Sequence, residues 1–453
     1  MDKATKSLIK GLTIFGSALL VYTIVHNRDV KNYDRGEIML KLEEGVRVDS
    51  KSLKKGKFGI KAIDKINKKY GILYIKPVFG DILPEDYNGE LRRWYHLEFK
   101  ESVNAEKIVK EYKAKDVDFV VEVAQLDYMY KADRKKKSLL EKIIEEILQI
   151  KPAPNDPLWE KQWGMHRIKA LETRLEFDKG KKKMPIVAVL DSGVYPHEDL
   201  EGMFAKDKNG KVIGWNMIKN NPKWIDDNDH GTHVATIISM VWNNGKGGAG
   251  AGHCLIMPVK ALNSMGMGTS EDLARGLVWA AEHGAIAINN SWGSRWPAQI
   301  IKDAGEYCYK KGVILLAAAG NTGTNSKHYP ASFPEFISVA ALNPKGDRAR
   351  FSTWGKDINI AAPGEGIWAG LTKNRYGSLS GTSMATPFVT AAVGELKYYF
   401  PKIKPEEIRK LLLDPKSSDK IETDKPIGGK GLNLYKLIKN TKEYFEDKNE
   451  KRD

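Results

Sequence analysis

Residues 312–320 read GVILLAAAG, an unbroken apolar run that closes on Gly320 and Asn321. Such a run, too short for a helix and apolar at every position, fits a strand covered on both faces. Four more runs have the same character: PIVAVL at 185–190, CLIMPVKAL at 254–262, AIAINNS at 285–291 and FISVAAL at 336–342. Strands of this kind belong to a parallel sheet with helices on each side. The segments between them are helical in pattern. SEDLARGLVWAAEHG at 270–284 offers Ser270 as the expected N-cap, acids in its first turn and Gly284 just past its end. The fold expected over 156–440 is therefore α/β, a doubly wound and mainly parallel sheet. Its ligand site should lie beyond the carboxyl ends of the strands.

Upstream the pattern changes. Over 36–132 the segments GEIMLKLEE, FGIKAIDKINKKYG, LYIKPVF, RRWYHLEFKE, NAEKIVKEYKAK and VDFVVEVAQLDYMY predict strand, helix, strand, strand, helix, strand. That order is a small α+β, ferredoxin-like unit. Residues 1–35 carry Lys3, Lys6 and Lys10 ahead of the apolar run Gly11–Val25, the layout of an export signal. At about 1.5 Å per residue the run spans roughly 22 Å, less than a bilayer core of about 30 Å. Snorkelling by Lys10 would lengthen it. A signal peptide and an amino-terminal membrane anchor both fit, and either exports the rest of the chain. Residues 133–155 read as a linker with a basic run at 134–137, and 441–453 as a charged tail.

Composition excludes several classes. Lys and Arg number 73 against 58 Asp and Glu, a net +15, but the excess is scattered and implies no nucleic-acid partner. The chain has two cysteines, Cys254 and Cys308, which rules out a disulfide scaffold and a cysteine-rich metal module. Both sit in apolar segments and read as buried free thiols.

Three short motifs fall where the sheet should place a site. PIVAVL ends in Asp191-Ser192-Gly193. The polar loop DDND leads to His230-Gly231-Thr232-His233-Val234-Ala235. Gly381-Thr382-Ser383-Met384-Ala385-Thr386-Pro387 opens a further helix. Alone, each reads as a cap or a turn. Together they meet the needs of nucleophilic acyl transfer. A serine hydroxyl is too weak an acid to attack an amide unaided, so an imidazole must take its proton. A carboxylate must hold that imidazole's tautomer and stabilise its cation. Asp191, His230 and Ser383 supply these groups, and the helix start at Ser383 adds backbone donors. Asn321, after GVILLAAAG, puts a carboxamide donor at the same edge, suited to an oxyanion.

The order of DSG, HGTHVA, AAAGN and GTSMATP resembles that of the subtilisin-like serine proteases, from about Asn155 to Ile438. The resemblance implies a serine endopeptidase with Asp191 orienting, His230 as general base and acid, Ser383 as nucleophile and Asn321 in the oxyanion hole. It makes His233 structural, and it marks Thr236 as a departure from the family's usual glycine. It implies that Gly266, Met267 and Gly268 sandwich an extended protein or peptide substrate with Ser291, Trp292 and Gly293. Ala318 and Gly320 then wall the pocket for the side chain preceding the cut. Thr322 follows Asn321 and no acid floors that pocket, so an apolar or aromatic preference is expected. No cofactor is needed for catalysis. A structural calcium is expected at Asp156, Asp199 and Asn244. The unit over 36–132 resembles the family's inhibitory propeptide, an intramolecular inhibitor removed by self-cleavage between Tyr128 and about Asp156. A catalytically inert binding module and a permanent accessory domain are the competing readings.

Overall fold

The structure is a computed structural model describing residues 33–43, 57–80, 89–99, 104–113, 121–132, 154–180, 182–423 and 425–450, with the single positions 46, 48, 53, 82 and 83. The amino-terminal apolar run and almost all of the linker lie outside the described residues. Among the described residues no helix is long and apolar enough to cross a membrane.

The first unit comprises β1 (Tyr33–Leu42), α1 (Lys61–Tyr70), β2 (Ile72–Pro77), β3 (Trp94–Phe99), α2 (Ala105–Tyr112) and β4 (Val121–Ala132). Its strands run in the order β4-β1-β3-β2, each pair antiparallel. Asn104 caps α2 by accepting the Lys107 N–H at 3.1 Å, and Gly71 ends α1 with φ +69°. Alternation along β1 decides which core each side chain joins. Ile38 and Leu40 pack with Leu97, Ile108 and Tyr112 in the unit's own core. Met39, between them, and Trp94 turn the other way, into the larger unit's core.

That unit contains α3 (Trp163–Arg167), α4 (Ala170–Phe177), β5 (Ile186–Asp191), β6 (Trp215–Asn216), α5 (His230–Ser239), β7 (Leu255–Lys260), β8 (Met267–Thr269) and α6 (Ser270–Glu282). It continues through β9 (Ala287–Asn290), β10 (Trp292–Gly293), α7 (Gln299–Lys310), β11 (Ile314–Ala318), β12 (Phe336–Leu342), β13 (Ile360–Pro363), β14 (Ile367–Leu371) and β15 (Arg375–Leu379). The last elements are α8 (Thr382–Tyr399), α9 (Pro405–Leu412), β16 (Ser418–Lys420), β17 (Lys430–Leu432) and α10 (Leu434–Glu450). Nine strands form one sheet in the order β16-β17-β13-β12-β11-β9-β5-β7-β6, parallel throughout except for β16. From β5 the chain first builds toward β7 and β6, then toward β9, β11, β12 and β13. That reversal opens a crevice at the carboxyl end of β5. Apolar residues of α5 and α8 cover one face, and those of α6 and α7 cover the other.

Two local expectations change. The N-cap of α6 is Thr269, not Ser270: Thr269 is extended and its Oγ1 accepts the Asp272 N–H at 3.1 Å. The charged segment from 441 is not a tail but the second half of α10. Leu437, Ile438 and Thr441 are buried, and Phe445 stacks on Phe400 with ring centroids 5.7 Å apart. Apolar groups at helical spacing outweigh the flanking charges there.

Candidate active site

Each motif sits at the carboxyl edge of the sheet, at an element end. Asp191 is the last residue of β5 and His230 the first of α5. Both are fully buried, and His230 Nδ1 lies 2.8 Å from Asp191 Oδ1, which also accepts the Ser192 N–H at 2.7 Å. The imidazole is thereby held in one orientation. The DDND loop, read from sequence only as polar, supplies the clamp between the two segments. Asp226 accepts the Ser192 hydroxyl on one oxygen and both the backbone N–H and hydroxyl of Thr232 on the other. Burial raises its carboxyl above the usual range, and these donors oppose the rise.

Ser383 lies in the first turn of α8, where backbone N–H groups have no partner within the helix. Its hydroxyl donates to the Ser291 carbonyl at 2.8 Å, and the Ser291 hydroxyl donates to the Ser383 carbonyl at 2.8 Å. Asn321 follows β11. Its Oδ1 accepts the Thr382 N–H at 2.9 Å and the Thr382 hydroxyl at 3.0 Å, which fixes the amide orientation and turns Nδ2 to the opposite side. His233 Nε2 donates to the Ile367 carbonyl, 3.0 Å away, deep in the core. Thr236, the departure noted above, is absorbed by packing. Its Oγ1 accepts the Gly370 N–H at 2.9 Å, and a Cβ on Gly370 would lie 2.8 Å from the Thr236 methyl.

The two glycine-bearing segments flank one strand. Tyr130 and Lys131 of β4 oppose Gly268 and Met267 of β8, while Lys131 and Ala132 oppose Gly293 and Trp292 of β10. Gly268 has no room for a side chain, since its Cβ would lie 2.2 Å from the Ala261 carbonyl oxygen, and Gly266 turns the chain at φ +72°. Ala318 ends β11 beside this strand system and Gly320 follows two residues on. The sequence reading passed over His328. A Cβ on Gly293 would lie 2.3 Å from its Nε2, and one on Gly320 2.8 Å from its Cγ. The ring thus stands between the two glycines.

The first unit is held on α6 and α7 by buried charge. Glu271 lies 2.7 Å from Lys76 and 2.5 Å from His96, and Asp303 lies 3.1 Å from Lys41 and 2.9 Å from the Trp94 indole N–H. Arg275 donates to the Val78 carbonyl. Burial alone would raise Glu271, but the His96 contact and the Lys76 charge hold it at about 2.

Asp156, Asp199 and Asn244 converge away from this edge. Asp156 accepts the N–H groups of Asn243 and Asn244, and Asp199 accepts the Asn244 amide at 2.8 Å and the Gly248 N–H at 3.1 Å. Asn244 Oδ1 takes the Lys246 N–H, so the amide presents nitrogen, not oxygen, to Asp199. Calcium needs oxygen lone pairs aimed at one point. As arranged, the three side chains do not fit a cation; hydrogen bonds close the loop instead. Burial, with the charge of Asp156 added, pushes Asp199 up to about 6. Both cysteines are buried and free.

A nine-stranded α/β sheet with a carboxylate–imidazole pair at its switch point, and a serine at a neighbouring helix start, defines a hydrolase class. Comparison narrows it: residues 182–433 match the subtilase family, and the chain belongs to that family. Over 322 residues it is 34% identical to the thermostable alkaline protease of Halalkalibacterium halodurans, covering 68% of this chain and 82% of that one. It is 36% identical to thermitase of Thermoactinomyces vulgaris over 247 residues, 54% and 85% of the two chains. With subtilisin Savinase of Lederbergia lenta it shares 35% over 259 residues, 56% and 91%. The chain is a serine-type endopeptidase, and subtilases need no cofactor for catalysis.

Proposed function

We propose that this chain is an exported endopeptidase made as an inhibited precursor, with Asp191, His230, Ser383 and Asn321 as its catalytic residues. The Ser383 hydroxyl, released from the Ser291 carbonyl and turned to His230, attacks the peptide carbonyl while His230 takes its proton. Asp191 keeps the proton on Nδ1 and stabilises the imidazolium. The oxyanion meets the Asn321 Nδ2 and the Ser383 N–H. The C–N bond breaks as His230 protonates the leaving amine, and water then cleaves the ester by the same steps in reverse.

One observation carries the precursor reading. β4 runs as the middle strand between β8 and β10, the edges an extended substrate would pair with. Asp191, His230 and Ser383 are all inaccessible. The ferredoxin-like unit at 36–132 would then inhibit its own enzyme until cut away from the peptidase domain. The peptidase domain begins at about 156, and α10 extends it past 440 to 450. Protein and peptide substrates are its partners, with no role for nucleic acid. Export is supported by the amino-terminal apolar run, as signal or membrane anchor, and by likeness to the cell wall-associated protease of Bacillus subtilis, 35% identical over 298 residues.

Intact mass of wild type and Ser383→Ala tests the reading. The wild type should shorten under activating conditions and the variant should not. Two full-length products would refute self-processing, and failure of a fluorophosphonate to label Ser383 would refute the peptidase assignment.

A further inference from the structure

The loop 226–229, just ahead of His230, is tied to a different element at each residue. Asp226 holds Ser192 and Thr232, Asn228 donates its amide to the Ser264 carbonyl at 2.7 Å, and Asp229 takes the Arg375 guanidinium on both carboxylate oxygens, at 2.8 and 2.9 Å. Asp227 is held by a buried cation that the reaction described above does not use. Lys260, the last residue of β7, is 5% exposed. Its Nζ donates to the Asp227 carboxylate at 2.7 Å, the Ser192 carbonyl at 2.7 Å and the Leu262 carbonyl at 3.0 Å. Those acceptors take all three protons of an ammonium, as a buried charge requires.

The acceptors belong to segments that together frame the His230 imidazole. Asp191 and Lys260 are register partners across β5 and β7, and the Asp191 carbonyl accepts the N–H groups of Ala261 and Leu262 at 2.8 and 3.0 Å. Ser192 gives its N–H to Asp191 Oδ1, while its hydroxyl accepts the Gly231 N–H at 2.9 Å. Asp227 lies on the loop that delivers the imidazole. Lys260 thus closes a ring of contacts around the 2.8 Å hydrogen bond between Asp191 and His230. The charged groups on the surrounding elements are Asp191 on β5, Asp226, Asp227 and Asp229 on the loop, Arg375 on β15 and Lys260 on β7. His233, on α5 itself, is turned to the Ile367 carbonyl, and α8 opens without a charged residue. Arg375 is about half exposed and committed to Asp229, so Lys260 is the cation on the buried side.

We propose that Lys260 is a positioning residue for peptide hydrolysis: its ammonium locks the Asp191 and His230 segments together and, as the buried positive charge beside them, keeps the imidazole in the neutral form that can take the Ser383 proton. The inference rests on the catalytic roles proposed above. A lysine that merely stiffened the fold would leave the titration of the imidazole unmoved.

The rate at which diisopropyl fluorophosphate modifies Ser383 in the self-processed enzyme, followed against pH, tests the proposal without any choice of peptide. The acid limb of that profile reads the imidazole. Lys260→Met removes a positive charge and should raise the midpoint of the limb by about half a unit. It should also lower the plateau rate per labelled site by about tenfold, as the pair loses its alignment. Lys260→Arg keeps the charge and the donors and should restore both values. Asp227→Asn removes the opposite charge from the same contact, so the midpoint should move the other way, by about 0.3 unit. Counting sites by complete labelling separates slow chemistry from misfolding, and if Lys260→Met yields no folded sites the Asp227→Asn shift decides. A midpoint unmoved in either variant, an upward shift in Asp227→Asn, or a plateau that Lys260→Arg does not recover would overturn the inference. Any of these with a wild type that labels at Ser383 refutes only the role of Lys260; a wild type that never labels refutes the peptidase reading itself.

Discussion

Replacing Glu271 by glutamine, in a Ser383→Ala background that prevents cutting, tests what holds the first unit on the catalytic face. Glu271 is almost fully buried and serves two partners at once, Lys76 at 2.7 Å and His96 at 2.5 Å. Two routes give the magnitude. The fall of its carboxyl from 4.5 to about 2 corresponds to about 3 kcal/mol. Removing one partner of a buried pair costs about 3–5 kcal/mol. The lower figure is the better expectation on two counts. Lys76 remains 34% exposed, and Asp272, pushed up to about 7 by burial and by the Glu271 charge, is relieved. About 3 kcal/mol is roughly a hundredfold. Hydrogen exchange should therefore lose about that factor of protection in β2, β3 and the first turns of α6, and little in α8. Because the folded carboxyl is depressed, its contribution is complete above pH 4.5 and is lost as pH falls toward 2. In the parent chain, docking should loosen over that window and not at neutral pH. Protection changed by less than threefold, or lost equally in α8, would refute the argument.

Two further outcomes follow from the geometry. Asp191→Asn leaves the packing in place but no longer fixes the proton on His230 Nδ1, so kcat should fall by about 10⁴ with KM little changed, as steady-state kinetics would reveal. Chelation by EDTA should leave the melting temperature within about 1 °C, since N–H donors already fill the Asp156 and Asp199 carboxylates; a fall of several degrees would show that a cation closes the loop.

The parallel core was legible because burial on both faces removes alternation. GVILLAAAG and its four counterparts announce themselves without reference to anything distant. The proposed catalytic residues were legible for a related reason: a doubly wound sheet gathers strand ends and helix starts at one edge, so Asp191, His230, Asn321 and Ser383 carry their position in local sequence. What stayed hidden depends on contacts between elements far apart in the chain. Glu271 looked like an ordinary first-turn acid, favourable to the helix dipole, until β2 and β3 brought Lys76 and His96 against it. The segment from 441 looked like a solvated run because Lys and Glu outnumber Thr441, Tyr444 and Phe445, yet those few lie on one stripe of α10. His328 has no local signal at all. Its loop leaves the sheet after Asn321 and returns to pair with Ser294, and only that return sets an imidazole between Gly293 and Gly320. The motifs that mark the proposed catalytic residues are thus short and local, whereas the packing beside them depends on how a loop comes back. A residue seven positions removed from Asn321 thereby packs between two glycines at the carboxyl edge of the sheet, a placement no local pattern encodes.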